Sequence, residues 1–333
     1  MSDRSKEMWS VDSDAFPSDG SREDQAAFLL RYAVLAPSSH NSQPWAFRVR
    51  DGTVDVYADP SRWLRVADAD RRELYLSVGC AVENLVVAAE AFGFEPEVRF
   101  EPGGSDGELV ARVALGSPGT SVDRSRPPGL FDAIPRRQTN HGEFDGRPIP
   151  PAVRTGLEGL ALEPGITVRF TDDPAVRREV DELTARADAL QFADPRWRKE
   201  LGEWLGRGVF GHGWLMSKAA QLAVSHLNLA RSQSRKDTEL LRSASLLGLV
   251  DVEAVDRESR VRAGQVFERL FLAATDAGLA LQPMNQILQV EETRDEFEAL
   301  LPGDWGRPQI TFRLGYGESE EHTPRRPLEE VVR

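Results

Sequence analysis

The sequence predicts an α+β fold duplicated within one chain, a single-chain pseudo-dimer with a helical lid inserted in its second half. Three observations carry this expectation. First, Gly79-Cys-Ala-Val-Glu83-Asn-Leu85-Val-Val-Ala88-Ala89-Glu-Ala-Phe-Gly93 aligns without gaps on Gly264-Gln-Val-Phe-Glu268-Arg-Leu270-Phe-Leu-Ala273-Ala274-Thr-Asp-Ala-Gly278, at an offset of 264 − 79 = 185. Six of the fifteen positions are identical, where ordinary amino-acid frequencies would give about one. Second, two fainter echoes flank it: Val54–Pro60 resembles Val168–Pro174, and Leu115-Gly116 before Arg126-Pro127 resembles Leu314-Gly315 before Arg326-Pro327. Third, the offset grows from 173 − 59 = 114 to 185, so the second copy has gained 71 residues, about 190–262. That stretch holds Trp197, Trp204, Trp214 and a helical run from Ser217 to Arg231. A long insertion in one copy reads as a lid rather than padding.

The elements follow in order. Residues 1–24 are acidic and polar and read as a mobile arm; the first half then spans 25–130 and the second 131–333. Apolar residues at helical spacing predict a helix over Gln25–Leu35, stopped by Pro37. Alternation predicts strands at Trp45–Val49 and Val54–Ala58, joined by a tight turn at Asp51-Gly52. The first core helix comes next, closed by Gly93. A hairpin across Gly103-Gly104 and Gly107 then pairs Val98 and Phe100 with Leu109, Ala111 and Val113. The second half offers helix Pro151–Leu160, strand Ile166–Phe170, the insertion, the second core helix and strand Gln309–Leu314.

Composition narrows the function. Of 333 residues, 40% are hydrophobic and 29% charged, with no 18-residue apolar run of the kind that crosses a membrane. The net charge of −13 and scattered basic residues argue against nucleic acid or an anionic membrane as partner. The N-terminal stretch lacks the apolar segment of a signal peptide, and the single cysteine, Cys80, precludes an intramolecular disulfide, so a cytoplasmic location is expected. Cys80 falls inside an apolar helical pattern and reads as a small buried hydrophobe.

Two motifs concentrate hydrogen-bonding chemistry. Pro37-Ser38-Ser39-His40-Asn41-Ser42-Gln43-Pro44-Trp45 compresses hydroxyls, an amide and backbone N–H groups into one loop, and Pro44 biases Gln43 towards an extended conformation. Such a loop suits a polar, uncharged heterocycle edge and a ribityl chain; a capped helix-to-strand turn is the plainer reading. Arg136, Arg137 and Thr139 bring two guanidiniums and a hydroxyl together, and Arg325 and Arg326 form a second pair between prolines. Forked guanidinium donors match the oxygens of a phosphate monoester, although such pairs are often simply solvated. Gly206-x-Gly208-x-x-Gly211 lacks a preceding apolar strand and so the context of a dinucleotide fold. The five histidines are too dispersed for a metal site, and no G-x-S-x-G elbow supports a hydrolase.

Pro-Ser-Ser-x-Asn-x-Gln-Pro-Trp resembles the flavin-contacting loop of the nitroreductase superfamily, and the chain from about Phe28 to Val332 is similar to its Acg-type, FMN-binding branch. The resemblance implies a nitroreductase-like fold and one composite FMN site per chain. Pro37, Ser38, Ser39, Asn41 and Gln43 would come from the first half. Arg136, Arg137, Thr139 and one of Arg325 or Arg326 would hold the phosphate. Gln282, Pro283, Met284 and Asn285 would face the isoalloxazine, with Asn285 and Gln286 replacing the family's acidic residue and glycine. The implied activity is hydride transfer from NADH or NADPH to FMN and on to a nitro-aromatic or quinone-like small molecule, with no catalytic side chain required. A non-enzymatic, FMN-sequestering protein whose lid blocks the flavin is the alternative, and a monomer acting as a pseudo-dimer is expected in either case.

Overall fold

A capping box opens the first helix: Ser21 Oγ accepts from the Asp24 amide and Asp24 accepts from the Ser21 amide at the start of α1 (Arg22–Ala33). The computed structural model describes residues 7–101, 108–117, 126–127, 129–211, 214–226 and 230–333, with only the backbone at 214, 215, 225, 226, 230 and 231. The Gly103-Gly104 and Gly107 turn, His212 and the Trp214 side chain lie outside the described residues. β1 (Trp45–Arg50) and β2 (Thr53–Ala58) are antiparallel, joined by Asp51 and Gly52 at φ 48° and 73°, as a two-residue hairpin requires. α2 (Arg72–Ala91) leads to β3 (Glu97–Phe100) and β4 (Leu109–Ala114), where Val98 faces Val113 and Phe100 faces Ala111.

Past α3 (Gly129–Ala133) and α4 (Pro151–Glu158) comes β5 (Ile166–Thr171). Four helices follow in a row: α5 (Pro174–Ala193), α6 (Pro195–Gly206), α7 (Trp214–His226) and α8 (Ala230–Ser243). The chain then forms β6 (Leu246–Val252), α9 (Arg257–Asp276), β7 (Ala280–Pro283), α10 (Gln286–Gln289), α11 (Glu291–Leu300), β8 (Arg307–Gly315) and α12 (Leu328–Val331). The first sheet is ordered β1-β2-β4-β3 and the second β5-β6-β8-β7, the same order position for position.

The two core helices obey the sequence offset at both ends, since 257 − 72 = 276 − 91 = 185. Each closes on a glycine at positive φ, Gly93 at 83° and Gly278 at 72°. Beyond them the Phe94 amide donates to Ala89 O (3.0 Å) and the Leu279 amide to Ala274 O (2.8 Å), the paired end bonds of one helix-stop motif. α2 and α9 pack directly on each other where Gly79 meets Gly264. A Cβ at Gly79 would overlap the Val261 carbonyl, and one at Gly264 the Leu76 carbonyl. At the same level Glu83 takes Arg269 at 2.7 Å and Arg126 at 2.6 Å, with Glu163 on the far side of Arg269. Burial pushes the Glu83 carboxyl up, but the Arg126 and Arg269 charges outweigh it and bring it down to about 2. α2 is also long and apolar enough to cross a membrane, yet 89% of its most apolar window is buried, so the sequence does contain such a run and the fold uses it as core.

Two expected boundaries change. Four helices lie between β5 and β6, where the first sheet has only Asp51-Gly52, and they begin at 174 where the insertion was expected from about 190. The expected range 190–262 swallows β6, a central strand, and the start of α9. All seven β6 positions are buried, so it shows no alternation to read. The Val54–Pro60 echo also paired β2 with β5, an edge strand like β1. What those segments share is a cap: Asp59 and Asp173 each accept from the amide two residues on, with proline at the first helical position.

The arm is packed rather than mobile over residues 7–24. Trp9 is buried, stacks on His322 at 4.0 Å and donates from Nε1 to Thr323 O at 2.8 Å, while Phe16 stacks on Phe92 at 4.3 Å. Two aromatic anchors within a polar composition are enough to seat it.

Candidate functional site

The loop between α1 and β1 is bent and fastened. His40, Asn41 and Gln43 lie at φ 50°, 49° and 51°, a region such residues occupy only when their surroundings hold them there. Gln43 is therefore not extended, despite Pro44. Its amide donates to Ser38 Oγ (2.9 Å), its Nε2 to Asn41 O and Pro324 O (both 3.3 Å), and its Oε1 accepts from the Arg326 amide (2.7 Å). Arg326 Nη1 donates back to Gln43 O (3.0 Å) and Trp45 O (3.3 Å). Gln43 and Arg326 thus strap the C-terminal segment to the loop, and the Gln43 amide and carbonyl groups are all engaged in doing so. Asn41 is similarly engaged: Nδ2 donates to Pro324 O (2.9 Å) and Val209 O (2.6 Å), and Oδ1 accepts from Arg325 (3.0 Å).

Beside this loop lies a cavity of about 340 Å³, within the range of a small-molecule site. Of the sequence-derived residues, Pro37, Ser38, Ser39, Asn41, Thr139, Pro283, Asn285 and Arg325 line it. Gln43, Arg136, Arg137, Gln282, Met284 and Arg326 do not. Arg136 is a surface residue paired with Asp276 at 2.9 Å. Gln282 points into a network behind β7, accepting from Arg313 (2.7 Å) and lying 3.0 Å from His141 Nδ1. Met284 lies on the same face as Gln282, away from the cavity, against Phe144, Leu241 and Leu247. Strand alternation explains the last pair: along β7 and its extension only alternate side chains can face one surface. Thr139 is placed by its bridge to Leu281, and Asn285 by accepting from the Thr311 amide (3.0 Å).

Arg137 and Arg325 come from opposite ends of the second half and meet at one carbonyl: Arg137 Nη2 donates to Leu35 O at 2.9 Å and Arg325 Nη2 to the same oxygen at 3.2 Å. Both are buried, yet Nε and Nη1 of Arg137 and Nε of Arg325 have no hydrogen-bond partner. The nearby carboxylate is Glu268, 3.4 Å from Arg137; burial raises it to about 7 against the pull of Arg137. Burial and then the neighbouring Arg137 push Arg325 well down, and burial with both arginines takes His322 down to about 4. Trp9 covers the cluster, 4.5 Å from the Arg325 guanidinium. Two buried guanidiniums with open donors and too little negative charge form a receptor for an oxyanion such as a phosphate.

The remaining wall was not anticipated. His40, at the unspecified position of the loop motif, lines the cavity with Nδ1 unpartnered. Ser77 and Cys80 face it from α2; burial pushes the Cys80 thiol up, consistent with an inert, small buried residue. The inserted helices supply Asp188, Gln191, Trp197, Gln233 and Asp237. One signal was present: Leu183, Thr184, Ala187, Asp188 and Gln191 fall on the buried face of α5, so a carboxylate interrupts an otherwise core-facing stripe.

A Mycobacterium tuberculosis (strain H37Rv) protein named Putative NAD(P)H nitroreductase Rv3131 is 31% identical over 315 residues, covering 91% of this chain and 90% of the relative. The chain belongs to this NAD(P)H nitroreductase family. From the same organism, Putative NAD(P)H nitroreductase acg is 28% identical over 312 residues, covering 91% and 93%. No family model matches the chain. Among solved structures, the FMN-dependent nitroreductase NfnB from Mycobacterium smegmatis in complex with NADPH aligns with a TM-score of 0.41 at 18% identity, over 62% of this chain and 97% of its own. Within this nitroreductase-family chain, the loop that carried the resemblance, Arg325 and side chains of the helices between β5 and β6 line a single cavity, with Arg137 behind Arg325 at the Leu35 carbonyl.

Proposed function

We propose that this chain is an FMN-dependent oxidoreductase of nitroreductase type that takes reducing equivalents from NADH or NADPH and passes them to a nitro-aromatic or quinone-like acceptor. The observation that carries the reading is the Arg137–Arg325 pair with its open N–H donors at Leu35 O. Those donors, with the Thr139 hydroxyl, fit the phosphate of FMN, and the Pro37–Asn41 loop and Pro283–Asn285 fit a planar ring between them. When bound, FMN supplies the two-electron chemistry. The chain's own residues bind, orient and exclude water: Trp9 and His322 cover the phosphate end, and Phe192, Leu201 and Phe210 wall the cavity against solvent.

We read the two equally ordered sheets as copies of one unit and the chain as a monomeric pseudo-dimer. The first copy then gives the loop, the second gives Arg137, Thr139 and the Pro283–Asn285 segment, and one FMN binds per chain. Released flavin should be FMN at one per chain; two per chain, or FAD, overturns the composite site. A second reading, sequestration of FMN under the inserted helices, is favoured by the Asn41 bond to Val209 O, which ties the flavin loop to the insertion. Anaerobic mixing with NADH or NADPH separates the two. Bleaching followed by recovery on adding a quinone supports the enzyme, and an unreduced flavin supports sequestration.

A further inference from the structure

The end of the cavity away from the arginines holds a second polar cluster. Asp188 on α5 and Asp237 on α8 both line it, 1% and 3% exposed, and are near enough for each carboxyl to act on the other. Gln233 Nε2 donates to both oxygens of Asp237 (3.1 and 3.0 Å), and Gln286 Nε2 donates to its Oδ2 (3.0 Å). Neither carboxyl is in an ion pair among the described residues; the cations that act on Asp237 from further off are Lys236, exposed on α8, and Arg313, buried on β8. Two buried carboxyls in contact cannot both ionise, so they share one proton. The amide donors place the charge on Asp237 and the proton on Asp188. Burial, then Asp237, accordingly push Asp188 up to about 8.

The pair therefore carries one negative charge, and Asp188 Oδ2 is left without a partner. An independent orphan faces the same space: Trp197 Nε1 on α6, 8% exposed, finds no acceptor. Phe192, Leu201 and Phe210 line the same cavity. One open acceptor on a carboxyl pair that bears a single negative charge, one open donor and aromatic walls describe a complementary ligand: an aromatic ring bearing an N–H or ammonium group and an acceptor oxygen.

We propose that the Asp188–Asp237 end of the cavity is the binding site for the electron acceptor and selects aromatic acceptors carrying a protonated or N–H-bearing nitrogen over anionic ones. The proposal rests on the reading of FMN at the arginine end. The Asp188 side accepts from the nitrogen group, the Trp197 indole donates to the acceptor oxygen, and an anionic substituent meets like charge in a site with little water to screen it.

The test is equilibrium binding to the full-length, FMN-loaded, oxidised protein, read as perturbation of the flavin spectrum. The probes are 4-nitrobenzylamine, 4-nitrotoluene and 4-nitrobenzoate. The amine should bind on the order of tenfold or more tighter than the benzoate. The double variant Asp188→Asn, Asp237→Asn should lose that preference, and Trp197→Phe should weaken all three probes together. Equal binding of the three probes to the unaltered protein, or tightest binding of the benzoate, overturns the proposal; this comparison stands even if the double variant does not fold. A preference that survives in a folded double variant also overturns it. FMN content and bleaching by NAD(P)H report separately on the functional reading, which fails if the unaltered protein takes up no FMN or if its flavin stays unreduced.

Discussion

Replacing Arg137 by methionine tests the phosphate end directly. The substitution removes a guanidinium and keeps a side chain of similar length against Phe271, whose ring centroid lies 4.8 Å from the Arg137 guanidinium. Arg137 donates one bond, to Leu35 O, and leaves Nε and Nη1 open. A charge-assisted hydrogen bond contributes about 1.5–3 kcal/mol, so losing one bond to the phosphate should weaken FMN about 10- to 150-fold. The fold should tolerate the change, because Glu268 already sits at about 7 beside Arg137 and without it will simply hold its proton near neutral pH. FMN and riboflavin titrations of the apoprotein, read by flavin fluorescence, give the answer. FMN should weaken and riboflavin, which lacks the phosphate, should change little. Parallel losses for both flavins, or an unchanged FMN affinity, refute the assignment of Arg137 to the phosphate.

Glu83→Gln should destabilise the chain by about 3 kcal/mol in urea unfolding, the low end for breaking a buried pair, since Arg269 keeps Glu163. Because Glu83 is held at about 2, well below the ordinary 4.5, its contribution is complete above about 4.5 and is lost as pH falls towards 2; the variant should therefore show a flatter acid limb. Gly79→Ala places a methyl group on the Val261 carbonyl and should cost about 3 kcal/mol, read from the same urea midpoint. Asn41→Ala removes the bond to Val209 O and an acceptor of Arg325, so amide exchange around 207–211 should quicken and FMN dissociate faster; unchanged exchange there would remove the case for a pinned lid.

What the sequence revealed depended on local, repeated signals. The core helices were legible because a buried helix–helix contact dictates the same residues twice: a glycine where the backbones meet, a glutamate beside it and a glycine at the stop. The first-sheet strands were legible because each alternates or ends in a turn residue. β6 was not, since a strand buried on both faces carries no period. The flavin loop was found by its residue types, but Asn41 and Gln43 turn out to spend their polar groups on the C-terminal strap. Nothing local announces that the partner segment is some 280 residues away. Arg136 and Arg137 are adjacent in sequence and opposite in fate, one solvated and one buried, because successive side chains past the end of α3 point in different directions.

The proposed repeat gives a reason to expect one site in the chain. Glu83 and Glu268 occupy equivalent places on the two core helices, and each stands beside buried arginines. Near Glu268, Arg137 and Arg325 converge on the carbonyl of Leu35, just past the helix that precedes the edge strand β1. Near Glu83, Arg269 donates to the carbonyl of Leu160, just past the helix that precedes the edge strand β5 (2.9 Å). The two clusters differ in how their charge is met. Around Glu83, Arg126 and Arg269 are answered by Glu83, Glu90 and Glu163 at 2.6–2.9 Å, which leaves no call for an outside anion. Around Glu268, two arginines face one carboxylate that burial holds near its protonation point; Arg137 Nε stands 3.4 Å from it, and Arg137 Nη1 and Arg325 Nε stay open. In the duplicated reading, Glu163 does for one half what the proposed phosphate would do for the other. A cluster that closes on its own side chains is structural; its twin, left one negative charge short, is the one that can hold a ligand.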